Sequence, residues 1–173
     1  MALAAALIQP ACAAERPAAS KQRGLVLDSR PWKGDFDGML ARRTIRVLVP
    51  YSRSLYYVDK GRQRGIEAEL VHDFERYLNR KYAKRLGGRP LTVYLVPTPR
   101  DKLLSAIAEG RGDIAAGNLT VTEQRLKLVD FVVPKDRKPL RELIVTGPAS
   151  PRVETLDDLS GKVIHVRKST SYY

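Results

Sequence analysis

The sequence predicts an α/β fold with a parallel or mixed sheet, on three observations. Short apolar runs at Ile45–Val49, Leu91–Val96 and Asp113–Ala116 are each too brief for a helix and read as buried strands. Longer stretches with apolar residues at helical spacing lie between them. Glycine or proline marks each changeover, and alternation of this kind joins parallel strands through helical crossovers.

The elements follow in order. Glu15 to Arg30 is polar, holds Pro17, and reads as a linker. In Trp32–Arg43 the apolar Phe36, Met39 and Leu40 recur at helical spacing, which predicts a short lead-in helix. The first strand is Ile45–Val49, followed by a polar loop from Pro50 to Arg64. Ile66, Leu70, Phe74, Tyr77, Leu78 and Tyr82 mark one face of a helix that Gly87-Gly88 ends. After the second strand, Thr98-Pro99 is a cap and first-turn pair for a helix turning Leu103, Leu104 and Ile107 inward, stopped by Gly110. The third strand comes next. Arg141–Thr146 is an extended segment, Thr155 caps a short turn, and Val163–Val166 begins a new sheet.

The densest stretch runs from Gly112 to Phe131. Gly117-Asn118 breaks the third strand, and Thr120-Val121-Thr122-Glu123 fits the capping-box pattern at a helix start. Unpaired N–H groups and the positive dipole end gather there, which suits an anion. Arg125 follows one turn on, and its planar fork can grip a carboxylate with two parallel bonds. Ligands of open α/β sheets sit beyond the carboxyl ends of the strands. That rule selects Ser52–Tyr57, Pro97–Arg100 and Asn118–Arg125.

Four segments resemble extracytoplasmic solute-binding proteins of family 3, the two-lobed binding proteins of amino-acid importers. They are Gly112–Phe131, Ile45–Pro50, Gly65-Ile-Glu-Ala-Glu-Leu70 and Leu159–Ser171, in the family's order and spacing. The resemblance implies a periplasmic-binding-protein-like type II fold. Residues 1–14 would be a signal peptide, 15–43 the linker and lead-in helix, 44–146 an incomplete first lobe and 147–173 the start of a second. It implies that Thr120 and Arg125 hold the α-carboxylate of an amino acid or short peptide, with Asn118 beside them. Thr170 and Ser171 match the second-lobe turn that meets the same carboxylate from across the cleft, although Ser169 stands where the family has glycine. Two roles are open to Tyr56 and Tyr57: an apolar wall over the ligand, or a ring packed against the loop. Lys135 stands where the family has an aromatic.

The family's complete members need two lobes and a longer chain, so a truncated or partial product is expected, against a free-standing minimal lobe. A rival resemblance, in Gly65–Leu70, Val153–Val166 and Val166–Tyr173, is to the N-terminal module of membrane-bound lytic murein transglycosylases. Its implied partners are a fused transglycosylase domain and muropeptides rather than a permease and amino acids, and this chain carries no catalytic domain.

The apolar run Ala2–Ile8 with Ala11-Cys12-Ala13 predicts export and cleavage to the periplasm or cell envelope, despite a missing basic leader. Gln9 and Pro10 fit a lipidation signal at Cys12 poorly. Cleavage would leave no cysteine, and no other apolar stretch approaches the roughly 20 residues of a membrane span. The net charge of +12 raises the question of nucleic acid, but its basic residues are scattered and no recognition motif accompanies them. Such a surface fits a solvated face or a general attraction to cell-wall polymers and phospholipid headgroups. His72 and His165 lie far apart, with no metal spacing, nucleophile elbow or phosphate loop nearby, so no cofactor and no catalytic set is expected. Arg111-Gly112-Asp113 leads into a buried strand and is structural; Asp157-Asp158 is a helix-start pair.

Overall fold

The computed structural model describes residues 30–136, 143–167 and 170–171. The export signal, the linker up to residue 29, Arg141 and Ser169 lie outside the described residues.

A three-stranded parallel sheet organises the body. Strand β1 (Thr44–Val49) is central, and β2 (Tyr57–Asp59) and β3 (Arg62–Arg64) form a separate antiparallel hairpin. Strand β4 (Thr92–Pro97) pairs with β1 from Thr44↔Thr92 to Val49↔Pro97. Strand β5 (Ile114–Ala115) pairs on the other side, at Val47↔Ile114 and Leu48↔Ala115. The helices are α1 (Phe36–Arg42), α2 (Ile66–Lys81), α3 (Ala83–Leu86), α4 (Leu103–Ala108) and α5 (Glu123–Leu126).

β1 is buried along its length because both of its faces are covered, which is why it reads as a run of apolar residues rather than an alternation. Ile45, Val47 and Val49 point to one core with Ala68, Val71 and Leu78 of α2. Leu48 points the other way, onto Leu103 and Ala106 of α4. Arg46 shares the alternation of Leu48 and is only 1 % exposed.

Burying that guanidinium requires partners. Arg46 Nη2 donates to Asp113 Oδ1 at 3.0 Å and to the Gly110 carbonyl at 2.9 Å. Its backbone N–H donates to Asp113 Oδ2 at 2.7 Å, and Arg42 forms an ion pair with the same carboxylate. Arg46 also donates to the carbonyls of Arg30 and Trp32, so the lead-in segment is strapped to the amino end of the sheet. Arg42 lies over the Trp32 ring, 3.7 Å from its centroid. Gly110 sits at φ 75°, and a Cβ there would come within 2.8 Å of the Trp32 carbonyl oxygen. Within the Arg-Gly-Asp tripeptide, Asp113 is therefore part of a buried brace, its side chain 1 % exposed, while Arg111 stays exposed and pairs with Glu109.

Several expectations change. The loop after β1 contains the β2–β3 hairpin, turned by Lys60 (φ 46°) and Gly61 (φ 76°), a two-residue connection whose positive φ values match strand twist. The buried face of α2 is Ala68, Val71 and Leu78, whereas Ile66, Leu70 and Tyr77 are exposed. Thr98 does not cap the next helix: its hydroxyl donates to the Val96 carbonyl, and a 3-10 turn over Arg100–Lys102 leads into α4. Residues 143–146 and 163–166 form no ladder among the described residues, so Val163–Val166 does not open a sheet here, and His165 is not in a strand. A strand exists only through a paired neighbour, and none of the described residues supplies one. At the turn near Thr155, Asp158 is the capping group. Its carboxylate accepts from the Glu154 and Thr155 N–H groups and the Thr155 hydroxyl, which holds its pKa below the ordinary carboxylate value.

Candidate functional site

The loops leaving the carboxyl ends of β1 and β4 line an open cavity of about 480 Å³. Pro50, Tyr51, Ser52 and Leu55 line it from the β1 side, Pro97 to Arg100 from the β4 side, and Arg167 completes it. It lies where the strand-end rule puts a ligand, and its size suits a small molecule.

The first wall is held tightly. Ser52 N–H donates to the Tyr56 carbonyl at 2.8 Å, and Tyr56 N–H returns a bond to the Ser52 carbonyl at 3.0 Å. The Ser52 hydroxyl oxygen accepts from Leu55 N–H at 3.2 Å. The first turn of α2 docks on this loop, its Ile66 and Glu67 N–H groups donating to the Ser54 and Leu55 carbonyls. Gly65 allows that approach: at φ 112°, a Cβ would stand 2.3 Å from the Leu55 carbonyl oxygen. Burial in this corner pushes the Glu67 carboxyl above its ordinary value. The second wall is tied on by Thr98 N–H, which donates to the Val49 carbonyl at 2.9 Å.

The loop after β5 joins through a guanidinium. Arg100 Nη2 donates to the Asn118 carbonyl at 3.0 Å, and Asn118 adopts φ 51°, which turns the chain sharply there. Two residues on, Arg125 Nη1 donates to the Thr120 carbonyl at 2.8 Å. The carbonyls of residues 118 and 120 thus hold two arginine heads on one loop. The N-cap of α5 is Thr122, whose hydroxyl oxygen accepts from Arg125 N–H at 3.3 Å, so the box expected from Thr120 to Glu123 does not form. With Thr122 as cap, Thr120 stays in the exposed loop ahead of the helix.

The other expected residues fall as follows. Tyr56 is 3 % exposed and packed into the core around α2, the second of its two open roles. Tyr57 starts β2 and is half-buried. Tyr51, not singled out from sequence, is the tyrosine that lines the cavity and is 70 % exposed. Thr170 donates through both its N–H and its hydroxyl to the Arg167 carbonyl, at 2.9 and 2.7 Å, and Ser171 is exposed beside it. That turn carries Arg167 into the cavity wall, while Thr120, Arg125, Thr170 and Ser171 are not among the residues lining it. Arg100 and Arg167 had no motif to mark them; only the position of Arg100 just past a strand end pointed to it. Among the described residues, no group of three or more His, Cys, Asp or Glu could hold a metal, and no helix is long and apolar enough to cross a membrane.

A parallel sheet with a cavity beyond its strand ends is the arrangement in which open α/β domains hold small molecules. The chain belongs to the bacterial extracellular solute-binding proteins, family 3, whose sequence model matches residues 45–170. It is 29% identical over 114 residues to the L-cystine-binding protein TcyJ of Escherichia coli (strain K12), covering 66% of this chain and 38% of that protein. It is 30% identical over 135 residues to membrane-bound lytic murein transglycosylase F 1 of Alkalilimnicola ehrlichii, covering 78% of this chain and 25% of that protein. Among solved structures, an ancestral cyclohexadienyl dehydratase is 31% identical with a TM-score of 0.44, over 57% of this chain and 37% of that one. The chain thus spans well under half the length of the relatives it matches.

Proposed function

We propose that this chain is the ligand-receiving lobe of an extracytoplasmic receptor that holds a small carboxylate-bearing molecule, an amino acid or short peptide. One observation carries the reading: the cavity at the carboxyl ends of β1 and β4 adjoins a loop on which Arg100 and Arg125 are both docked. Thr120 and Arg125 are the α-carboxylate partners in this reading, with Asn118 shaping the loop and Tyr51 or Tyr57 beside the ligand. Thr170 and Ser171 close from the second side. The cystine-binding relative supports an amino-acid ligand. A membrane permease is the partner in this reading. Export through residues 1–14 fits the extracellular family.

A second reading has its own support. The transglycosylase relative matches a larger share of this chain than the cystine-binding protein does, 78% against 66%. In that reading the lobe senses muropeptides and regulates a catalytic domain carried elsewhere in the protein.

Titration calorimetry with an amino-acid and muropeptide panel tests both. Arg125→Ala should weaken every carboxylate ligand by about 2–5 kcal/mol, roughly 30-fold to several thousand-fold, with the fold intact by circular dichroism. Unchanged affinity for each ligand that binds the parent would refute the assignment. Binding of muropeptides but not free amino acids would select the second reading.

A further inference from the structure

The cavity has a charge character that a single α-carboxylate does not use up. Two of its nine lining residues, Arg100 and Arg167, are cationic, and none is Asp or Glu. Its remaining polar groups are the Tyr51, Ser52 and Thr98 side chains. Thr98 spends its hydroxyl hydrogen on the Val96 carbonyl, and the Ser52 hydroxyl oxygen is occupied by the loop's own N–H groups. A ligand entering here therefore meets the arginine donors and the Tyr51 hydroxyl.

Arg100 is positioned rather than waving. Its Nη2 is fixed on the Asn118 carbonyl, across a separation of 18 residues, while the backbone around it is wound into the 3-10 turn of Arg100–Lys102. One bond engages one of the five N–H groups of a guanidinium, and the planar fork keeps the rest aimed in a fixed direction. Arg125 is fixed on the Thr120 carbonyl of the same loop. The loop thus holds two cationic heads two residues apart on its backbone, one on the cavity wall and one beyond it.

We infer that the ligand is a dianion: a small molecule with two carboxylates, one for Arg125 and the other for Arg100, with Arg167 adding charge from the cavity wall. An acidic amino acid meets this requirement, and so does a short acidic peptide. A ligand with a cationic side chain would be driven against Arg100 and Arg167 with no carboxylate in the cavity to offset them. The inference rests on the function proposed above, because it assigns the α-carboxylate to Arg125.

The test is calorimetry on the protein with L-glutamate, L-aspartate, γ-glutamylglutamate, L-glutamine and L-arginine, at about 150 mM salt to screen the general attraction of a basic surface. L-glutamate or L-aspartate, or the dipeptide in their place, should bind roughly ten- to a hundredfold more tightly than L-glutamine, and L-arginine should be the weakest. Arg100→Gln should abolish the preference for glutamate over glutamine. Arg80→Gln removes one exposed charge from α2, far from the cavity, and should leave the preference intact. Equal or better binding of glutamine or arginine by the parent overturns the dianion while the binding function stands. A preference that falls equally in both variants overturns it too, as a surface-charge effect. If none of the five binds, the dianion reading is overturned, and muropeptide binding then decides whether the binding function survives.

Discussion

Asp113 does more for this chain than any residue its sequence motifs advertise. Both carboxylate oxygens are engaged, by the Arg46 side chain and backbone N–H and by Arg42, and the group is almost wholly buried. Removing one partner of such a pair leaves an uncompensated charge, which costs more than the pair itself contributes. Asp113→Asn should lower unfolding free energy by about 3–5 kcal/mol in a denaturant titration. A loss under about 1 kcal/mol would place the pair among surface bridges instead. Ligand affinity should hold in the folded fraction, because Asp113 lies at the amino end of the sheet and the cavity at the other. Sequence alone did flag Asp113 as structural at the entry to a strand, although β5 is only partly covered. It could not flag Arg46, since an arginine inside an apolar run looks like an interruption until its partner, 67 residues away, is known.

At the scale of elements, legibility followed burial. β1 was readable because a parallel strand covered on both sides is an apolar run, and the edge strands β4 and β5 were readable as short apolar runs bounded by proline and glycine, although they are only partly covered. The hairpin β2–β3 was not, since its three-residue strands are mostly exposed and carry Asp59, Arg62, Gln63 and Arg64. Its signal was the Lys60-Gly61 turn alone. For α2 the extent was legible and the face only in part: Phe74, Leu78 and Tyr82 do pack on the core, but Ile66, Leu70 and Tyr77 are exposed while the smaller Ala68 and Val71 are covered. The first turn of α2 also carries a pH-sensitive group. Burial favours the protonated form of Glu67, so the folded state binds that proton more tightly than the unfolded chain. Its contribution to stability is complete below the ordinary value of 4.5 and is lost as pH rises through the raised folded value. Glu67→Gln stays neutral throughout. The variant should therefore match the parent near pH 4 and become progressively more stable than it toward pH 8, by urea midpoints. A constant difference across that range would show that the carboxyl ionises without penalty.

The whole molecule is uneven in how well it is covered. The body around β1 buries its apolar side chains, while Leu143, Val145, Leu156 and Val163 are between 79 % and 91 % exposed. Each large side chain left in water forgoes about 1.5–3 kcal/mol, against a whole-domain stability of about 5–15 kcal/mol. Exposed apolar surface on this scale binds partners or aggregates. The 173-residue chain should therefore enhance the fluorescence of an apolar dye at neutral pH, and brief trypsin digestion should cut first at Arg152, Lys162 or Arg167. The α1-to-α5 body should outlast those cuts, because its backbone is tied into sheet and helix. First cleavage inside β1 or α2 would contradict this division. The site shows the same split between legible and hidden. Strand-end logic found the loops, but which side chain turns into the cavity depends on how the loops fold back, as the inward Tyr56 and outward Tyr51 demonstrate.

Trp32 is the chain's single tryptophan, and it is stacked on Arg42 and hydrogen-bonded through its backbone to Gly110. Its indole emission therefore reports the brace at one pole of the molecule and is silent about the other. Release of the lead-in segment or global unfolding changes its surroundings, whereas a ligand bound beside Tyr51, as proposed above, should not. The protein carries a built-in optical gauge of its own integrity, independent of occupancy, and a binding assay must take its signal from heat or from tyrosine.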